Sequence, residues 1–270
     1  MRKRILISLT VLFALGLLFA FSLDDSEKQT QKELYLTDLV VNSLKYLHYE
    51  HKTIDDSFSE KIYDLYLQRL DYTKKFLLKE DVDKLATYRT KIDDEIRLQE
   101  QDFFDLSYNL IRQRTKDAEA YYQEILDKPF DFTKDEKIQL DDEKNDWAES
   151  PEALKESWRK ALKYQVMLDI YNKMDTQQKA KEKNDTVVLK SFAELEVAAR
   201  KKVRKQNKDY FRRIGQLERK DYFTLYINAI NGSYDPHTSY FPPKDKEDFD
   251  IAISGQLEGI GATLQEKDGY

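Results

Sequence analysis

The chain of 270 residues contains no cysteine. This absence excludes thiol catalysis, thiolate zinc sites, disulfides and a lipidated N-terminal cysteine. Glycine and proline are also scarce, at 7 and 5 residues, and no glycine lies between residues 17 and 214. Because glycine is costly inside helices and useful in turns, this stretch predicts a long helical body. A short tail of different architecture should follow it, since five glycines fall within residues 232–269.

The charge balance is mixed and slightly acidic. Lys and Arg number 45 and Asp and Glu number 51, which gives a net charge of −6. With 40% hydrophobic and 36% charged residues, the chain is neither a disordered tail nor a polytopic membrane protein. It is long enough for one or two domains and can bury a core without disulfides.

The N-terminus predicts a targeting segment. Three basic residues at positions 2–4 precede an apolar run over residues 5–21, which is typical of a secretory signal. Ala20 and Ser22 are small residues at positions −3 and −1 for cleavage after Ser22. We expect residues 1–22 to be a signal peptide, with an uncleaved membrane anchor as the alternative, and the body to be exported.

Apolar residues at helical spacing predict a series of amphipathic helices. Their stripes begin at Leu36, Phe58, Val82, Phe103, Leu154 and Phe192. Ser57 and Glu60 form the pattern of a capping box for the second helix. Ser150 before Pro151 predicts an N-cap followed by proline in the first turn. Asp221 is the expected cap of the last long helix, which we expect to end at Asn231 and Gly232.

Two polar stretches are predicted to interrupt these helices. Residues 131–149 contain eight acidic and three basic residues, so we expect an exposed acidic connection there. The polar stretch from Thr176 to Asp185 is predicted to be a loop. The residue pattern changes after Pro242 and Pro243. Residues 259–264 alternate small with apolar side chains at a period of two, which predicts a β-strand. A single strand is not stable alone, so we expect the sequence to be a fragment.

Histidines suggest two sites, and in both the structural interpretation is favoured. His48 and His51 could bind a metal with Glu50, but the spacing is not HExxH and no third ligand is evident. Two histidines near a helix C-terminus interact favourably with its dipole. Residues 235–240 bring Asp235, His237 and a serine together in sequence. A catalytic triad needs members from separate elements, so we predict a structural turn or domain joint.

Residues 200–220 contain ten basic and two acidic residues. Such a segment could neutralise phosphates, but the net acidic charge and the expected export favour a solvated helix face that pairs with acidic segments such as 131–149. We therefore expect no nucleic-acid partner. The Gly-x-Gly at Gly259 and Gly261 has two interpretations of equal weight: backbone N–H groups that bind a peptide carboxylate at a sheet edge, or a strand entry without a ligand.

The stretch 235–240 (DPHTSY), followed by 257–264 (LEGIGATL), strongly resembles the junction between helical and PDZ domains in tail-specific proteases. These are the carboxyl-terminal processing serine peptidases of bacterial envelopes. Similar stretches occur at 62–67 (IYDLYL) and 128–132 (KPFDF). The resemblance implies a mainly α fold, with a multi-helix N-terminal domain over residues 23–240. The first strand of a truncated PDZ domain would follow in residues 241–270.

The same resemblance implies a function for the whole enzyme. It would cleave exported proteins that it selects by a free, apolar C-terminus, and the carboxylate loop would be Gly259, Ile260, Gly261 and Ala262. The catalytic Ser/Lys dyad would lie in a later domain, so we assign no catalytic residue, metal or cofactor and expect this polypeptide to be inactive. Expected partners are protein or peptide substrates and an envelope adaptor. The expected location is the periplasm or cell envelope, with membrane association through residues 5–21. The alternative is a non-catalytic, membrane-anchored helical scaffold or adaptor.

Overall fold

Helices make up most of the chain that the computed structural model describes, residues 27–254. Helix α1 covers residues 27–47. It is followed by α2 (Asp56–Leu70), α3 (Lys79–Ala86), α4 (Ile92–Leu98), α5 (Asp102–Ile125), α6 (Pro151–Lys183), α7 (Phe192–Gly215), α8 (Arg219–Tyr234) and α9 (Pro243–Ser254). Within this range β-pairing is limited to one isolated bridge, between Leu78 and Ala148. The predicted helical body is confirmed, and the predicted strand over 259–264 lies outside the described residues.

Two packed groups of helices share one core. Helix α2 packs on α8 and α4, while α6 packs on α7 and α5. Helix α5 joins the groups, because it also contacts α8 and α7. Aromatic rings fill both halves: Tyr66, Phe103, Phe104 and Tyr226 contact one another on one side, and Phe76, Tyr122, Trp158 and Phe211 on the other. Such rings bury large apolar areas and dominate core energetics.

Most helix starts follow local chemistry, but the cap of α2 differs from the prediction. Asp55 is its N-cap and accepts a hydrogen bond from the N–H of Phe58 at 3.1 Å. Ser57 lies inside the first turn and donates its hydroxyl to Asp55 at 2.9 Å, so the capping box predicted at Ser57 and Glu60 was wrong. Asp55, two residues before Ser57, is negatively charged and therefore also interacts favourably with the helix dipole. At α6 the predicted cap is confirmed, since Ser150 accepts from the N–H of Ala153.

Helix α6 is longer than predicted, because it continues through the expected loop at Thr176 to reach Lys183. Its buried positions end at Ile170, so the last turns have no apolar stripe to reveal them. Residues 177–183 are all good helix formers, and the last turns carry stabilising i,i+4 pairs. One such pair joins Lys179 to Asp175 at 2.7 Å.

Helix α8 also extends past its predicted boundaries. Glu218 is its N-cap, and Asp221 occupies the third position, where it accepts from the N–H of Glu218 at 2.7 Å. The helix passes through Gly232 to end at Tyr234. A Cβ at Gly232 would lie 3.0 Å from Nη2 of Arg69 on α2. This glycine therefore lies against the side chain of Arg69 and does not end the helix.

The acidic connection over residues 131–149 is exposed along most of its length, as predicted. One of its carboxylates, Glu136, anchors it to α6 through ion pairs with Arg159 and Lys163. These hydrogen bonds, led by that of Lys163, lower the pKa of Glu136 to about 2. A short 3-10 helix, Asp142–Lys144, completes the connection.

Candidate functional site: the junction between α8 and α9

Residues 235–242, which we call the junction, connect the buried helix α8 to the exposed helix α9. Asp235 is the C-cap of α8, and its N–H donates to the carbonyl of Asn231 at 2.9 Å. Proline follows at position 236, and a proline cannot continue a helix hydrogen-bond pattern. The sequence therefore fixes both the end of α8 and the start of the turn.

The carboxylate of Asp235 is the centre of this turn. It accepts hydrogen bonds from the N–H of His237 at 3.0 Å and from the hydroxyl of Thr238 at 3.5 Å. The imidazole Nδ1 of His237 lies 3.1 Å away and Nε2 of His48 lies 3.3 Å away. The bond from the backbone N–H of His237, together with those from the two imidazoles, lowers the pKa of Asp235 to about 2. The carboxylate is thus anionic at any physiological pH.

His48 connects the junction to the end of α1. Nδ1 of His48 lies 3.1 Å from both the N–H and the carbonyl oxygen of Glu50. Because an ionised carboxylate can only accept, Nε2 is the atom that donates to Asp235. The ring of His48 also lies edge-on to Tyr234, with centroids 5.0 Å apart. Tyr234 in turn accepts, through its hydroxyl, the N–H of Lys52 at 2.9 Å. The segment after α1 is therefore attached to the last turn of α8.

Asn228 holds the other end of the junction. Its Oδ1 accepts the N–H of Tyr240 at 2.7 Å, and its Nδ2 donates to the carbonyl of Tyr240 at 3.2 Å. Beyond this point the rings of Phe241 and Phe249 contact each other, with centroids 5.3 Å apart. Asn228 thus holds Tyr240 against α8, and the ring contact joins the junction to α9.

A cleft of about 590 Å³ lies beside the junction, between α1, α8 and the start of α9. Its apolar lining consists of Leu36, Phe223, Tyr240, Pro242 and Pro243. Its charged lining is mixed and consists of Lys32, Glu33, Lys220, Asp221 and Asp245. The volume is in the range of small-ligand pockets.

The geometry favours the structural interpretation of residues 235–240. Asp235 bonds the backbone of its own turn, as predicted, and His237 is 90% exposed on its side chain. Within residues 27–254, Ser239 makes no hydrogen bond with His237. The arrangement can stabilise a joint, but it does not align a nucleophile with a base.

The other predicted site residues lie in different places. His51 faces the carbonyl of Lys45 in the last turn of α1 at 3.1 Å, which agrees with the helix-end interpretation. The described part of the chain holds no group of three or more His, Asp or Glu side chains placed to bind a metal. Gly259, Ile260, Gly261 and Ala262 lie outside the described residues, as does the apolar run over 5–21. From 27 to 254, no helix has the length and apolarity needed to span a membrane.

The basic segment forms most of α7, and its cations find different partners from those expected. Lys202 pairs with Asp169 on α6 at 2.6 Å, and Arg204 pairs with Asp127 at 2.6 Å. Both carboxylates lie outside the acidic connection 131–149. The prediction that intramolecular carboxylates balance this segment is thus confirmed for these two cations, with the partners corrected.

Comparison with known proteins identifies the class to which this helical domain belongs. A family model described as "Tail specific protease N-terminal domain" matches residues 40–244. A curated "Tail-specific protease" of Haemophilus influenzae is 32% identical over 223 residues, which cover 82% of this chain and 29% of that protein. The chain belongs to the tail-specific protease family, in agreement with the resemblance in its sequence. It spans less than a third of the length of that relative.

Proposed function

We propose that this chain forms the N-terminal helical part of an exported serine endopeptidase that degrades or processes proteins by recognising their C-termini. The observation that carries the proposal is the match of residues 40–244 to the N-terminal domain of tail-specific proteases. The relative at 32% identity bears the same family name. The activity, the substrates and the location in the periplasm or cell envelope are all part of this proposal.

The junction supports a role for the helical body as a fixed platform. Two side chains attach it: His48, which follows α1, contacts Asp235, and Asn228 within α8 bonds Tyr240. The backbone N–H of Lys52 donates to the hydroxyl of Tyr234 at the end of α8. We assign carboxylate binding to the segment Gly259, Ile260, Gly261 and Ala262, whose backbone N–H groups would bind the free end of a substrate as an added strand.

The catalytic residues of the proposed enzyme are a serine and a lysine of a further domain. A desolvated lysine with a lowered pKa takes the serine proton as the serine oxygen attacks the scissile carbonyl. We assign no residue of this chain to that dyad, and no cofactor or metal. Proposed partners are polypeptides with free apolar C-termini and an envelope adaptor, with membrane association through residues 5–21.

The test compares two forms of one unfolded substrate with an apolar C-terminus. One form ends in a free carboxylate and the other in an amide, and both are incubated with the complete gene product that contains this chain. We expect the free acid to be cleaved at least about tenfold faster. Equal cleavage of both forms would exclude carboxylate selection. If neither form is cleaved, the alternative of a non-catalytic, membrane-anchored scaffold or adaptor is favoured.

A further inference from the structure

Helix α6 carries apolar side chains on its outer side as well as on its buried side. Leu162, Val166 and Ile170 are buried and face the core. A second set follows helical spacing on a different side of the helix, and we call it the α6 outer stripe: Tyr164, Met167, Leu168, Tyr171 and Met174. All of these except Tyr164 are exposed. Since an apolar stripe on a helix normally faces a packing partner, the outer stripe indicates a partner outside this fold.

A groove of about 490 Å³ lies beside the first half of the outer stripe. Four lysines and three carboxylates line it, so its charge favours neither a strongly acidic nor a strongly basic occupant. Tyr171 and Met174 lie beyond the groove, further along the helix. Each chain thus has an apolar groove on one half of α6 and exposed apolar side chains on the other half. The apolar lining of the groove consists of Ile138, Leu140, Ala153, Ala161, Tyr164 and Leu168.

The outer stripe is complementary to itself when two α6 helices lie antiparallel. In a two-fold dimer, residue i of one copy contacts residue j of the other, and j contacts i in return. We place the axis between Met167 and Leu168, so that residues equally far from it on either side become partners. Tyr164 of each copy then lies opposite Tyr171 of the other. Such aromatic pairs add to the energy gained from apolar burial.

Charged residues at the two ends of the stripe match in the same register. Lys160 of each copy lies opposite Asp175 of the other. Glu156 likewise lies opposite Lys179. Within one chain Asp175 already pairs with Lys179 at 2.7 Å, and Glu156 pairs with Arg159 at 2.7 Å. Exposed ion pairs contribute little free energy, so the apolar stripe supplies the affinity and the opposite charges select the orientation.

We propose that two copies of this chain pair through antiparallel α6 helices, about a two-fold axis between Met167 and Leu168. Tyr171 and Met174 of each copy then enter the groove beside Tyr164 of the other. The seam from residue 160 to residue 175 is about 22 Å long, at about 1.5 Å per residue. A copy of the same chain fits better than a strongly charged partner, because the groove has mixed charge and the stripe matches itself.

The inference goes beyond the proposed proteolytic function, and its test needs no cleavage, so the two can fail independently. The complete gene product that contains this chain is studied by sedimentation velocity from about 1 to about 100 µM. The test variant is Tyr171→Glu, and the matched control is Tyr35→Glu on α1. These two tyrosines are 68% and 69% exposed, so the same charge is added at equally accessible positions.

We expect the unaltered protein and Y35E to form a dimer in this range, and Y171E to dimerise at least about tenfold more weakly. A product that stays monomeric at about 100 µM would leave the α6 outer stripe to another occupant and overturn the proposal. Equal effects of Y171E and Y35E would overturn it as well. Circular dichroism checks the fold, and the pair Y171S and Y35S is used instead if the added charge disturbs a helix.

An exchange of charges tests the antiparallel register. K160E and D175K each place like charges opposite one another in the dimer, so each variant alone should dimerise more weakly. An equal mixture of K160E and D175K restores opposite charges at both pairs, and it should form more dimer than either variant alone. The double variant K160E/D175K should dimerise as the unaltered protein does. A mixture that associates no better than the separate variants would contradict the proposed pairing.

Discussion

Asn228 hydrogen-bonds both main-chain groups of Tyr240. The N–H of Tyr240 donates to Oδ1 at 2.7 Å, and Nδ2 donates to the carbonyl of Tyr240 at 3.2 Å. One side chain thus pairs with both the N–H and the carbonyl of a junction residue, as an adjacent β-strand does in a sheet. The consequence is that a buried helix and the exposed helix α9 are joined through a fixed connection.

Replacing Asn228 with alanine should loosen this connection without unfolding the helical body. Two hydrogen bonds are lost, at about 1 kcal/mol each, and they hold only the junction and α9. We expect faster proteolytic cleavage within residues 236–242 and little change in the thermal unfolding midpoint. Limited proteolysis followed by mass spectrometry measures the first effect.

The matched control for this experiment is Asn228→Asp. Aspartate keeps the acceptor for the N–H of Tyr240 and loses the donor, so cleavage should be intermediate. If N228A and the unaltered chain are cut at the same rate, Asn228 does not control the junction.

Local chemistry explains which parts of the junction could be predicted from the sequence. Asp235 and the groups of His237 and Thr238 that it binds lie within three residues of one another, so turn chemistry alone predicted this part of its role. Its contact with His48 joins residues 187 positions apart and was not predicted. The pair Asn228 and Tyr240 leaves no such local pattern. Glu33 and Arg219 are 186 positions apart, and no periodicity in one sequence pairs them.

Asp71 should be essential for stability, although we assign it no role in catalysis or binding. This carboxylate, 4% exposed, accepts the N–H groups of Lys75, Phe76 and Leu77 at 3.0, 2.9 and 2.8 Å. D71A leaves three donors without a partner, and we expect a loss of about 3 kcal/mol in the free energy of unfolding. Urea denaturation measures it. D71N keeps one acceptor oxygen and should lose clearly less; equal losses would contradict the role of the three bonds.

Glu95 should make stability depend on pH. Burial raises its pKa from 4.5 to about 7, with Asp102, Glu100 and Asp105 adding to the effect, even though the N–H of Phe103 donates to it. The folded chain then binds the proton more tightly than the unfolded chain. Stability contributed by Glu95 is therefore greatest below pH 4.5, falls as the pH rises to about 7, and is constant above that.

The shift corresponds to about 3 kcal/mol across this window. We expect E95Q to remove most of the slope, because the amide stays neutral and its oxygen can still accept the N–H of Phe103. The measurement is urea denaturation at several pH values from about 4.5 to about 8, which covers the window between the two pKa values and the plateau above it. Parallel curves for E95Q and the unaltered chain would show that Glu95 titrates normally.

The buried ion pair between α1 and α8 gives a further test. Glu33 is 2% exposed and accepts from Arg219 at 2.7 Å and from Gln101 at 3.1 Å. R219M leaves a carboxylate buried without its cation, which should cost about 3 kcal/mol or more. The double variant E33M/R219M removes the unpaired charge and should be more stable than R219M in urea. A double variant that is less stable than R219M would contradict this account.

The polar end of α6 shows a second limit of sequence patterns. The apolar stripe that reveals a helix ends at Ile170, yet the helix continues to Lys183 through residues of high helix propensity. Capping signals gave a mixed result: Ser150 was identified from its position before Pro151. The caps expected at Ser57 and Asp221 are instead Asp55 and Glu218.

We propose that Gly259, Ile260, Gly261 and Ala262 bind the free carboxylate of a polypeptide substrate. The most direct measurement is the dissociation constant of the complete gene product for one apolar peptide, prepared with a free C-terminal carboxylate and with an amide. This account predicts at least about tenfold tighter binding of the free acid. Equal affinities for the two peptides would contradict it.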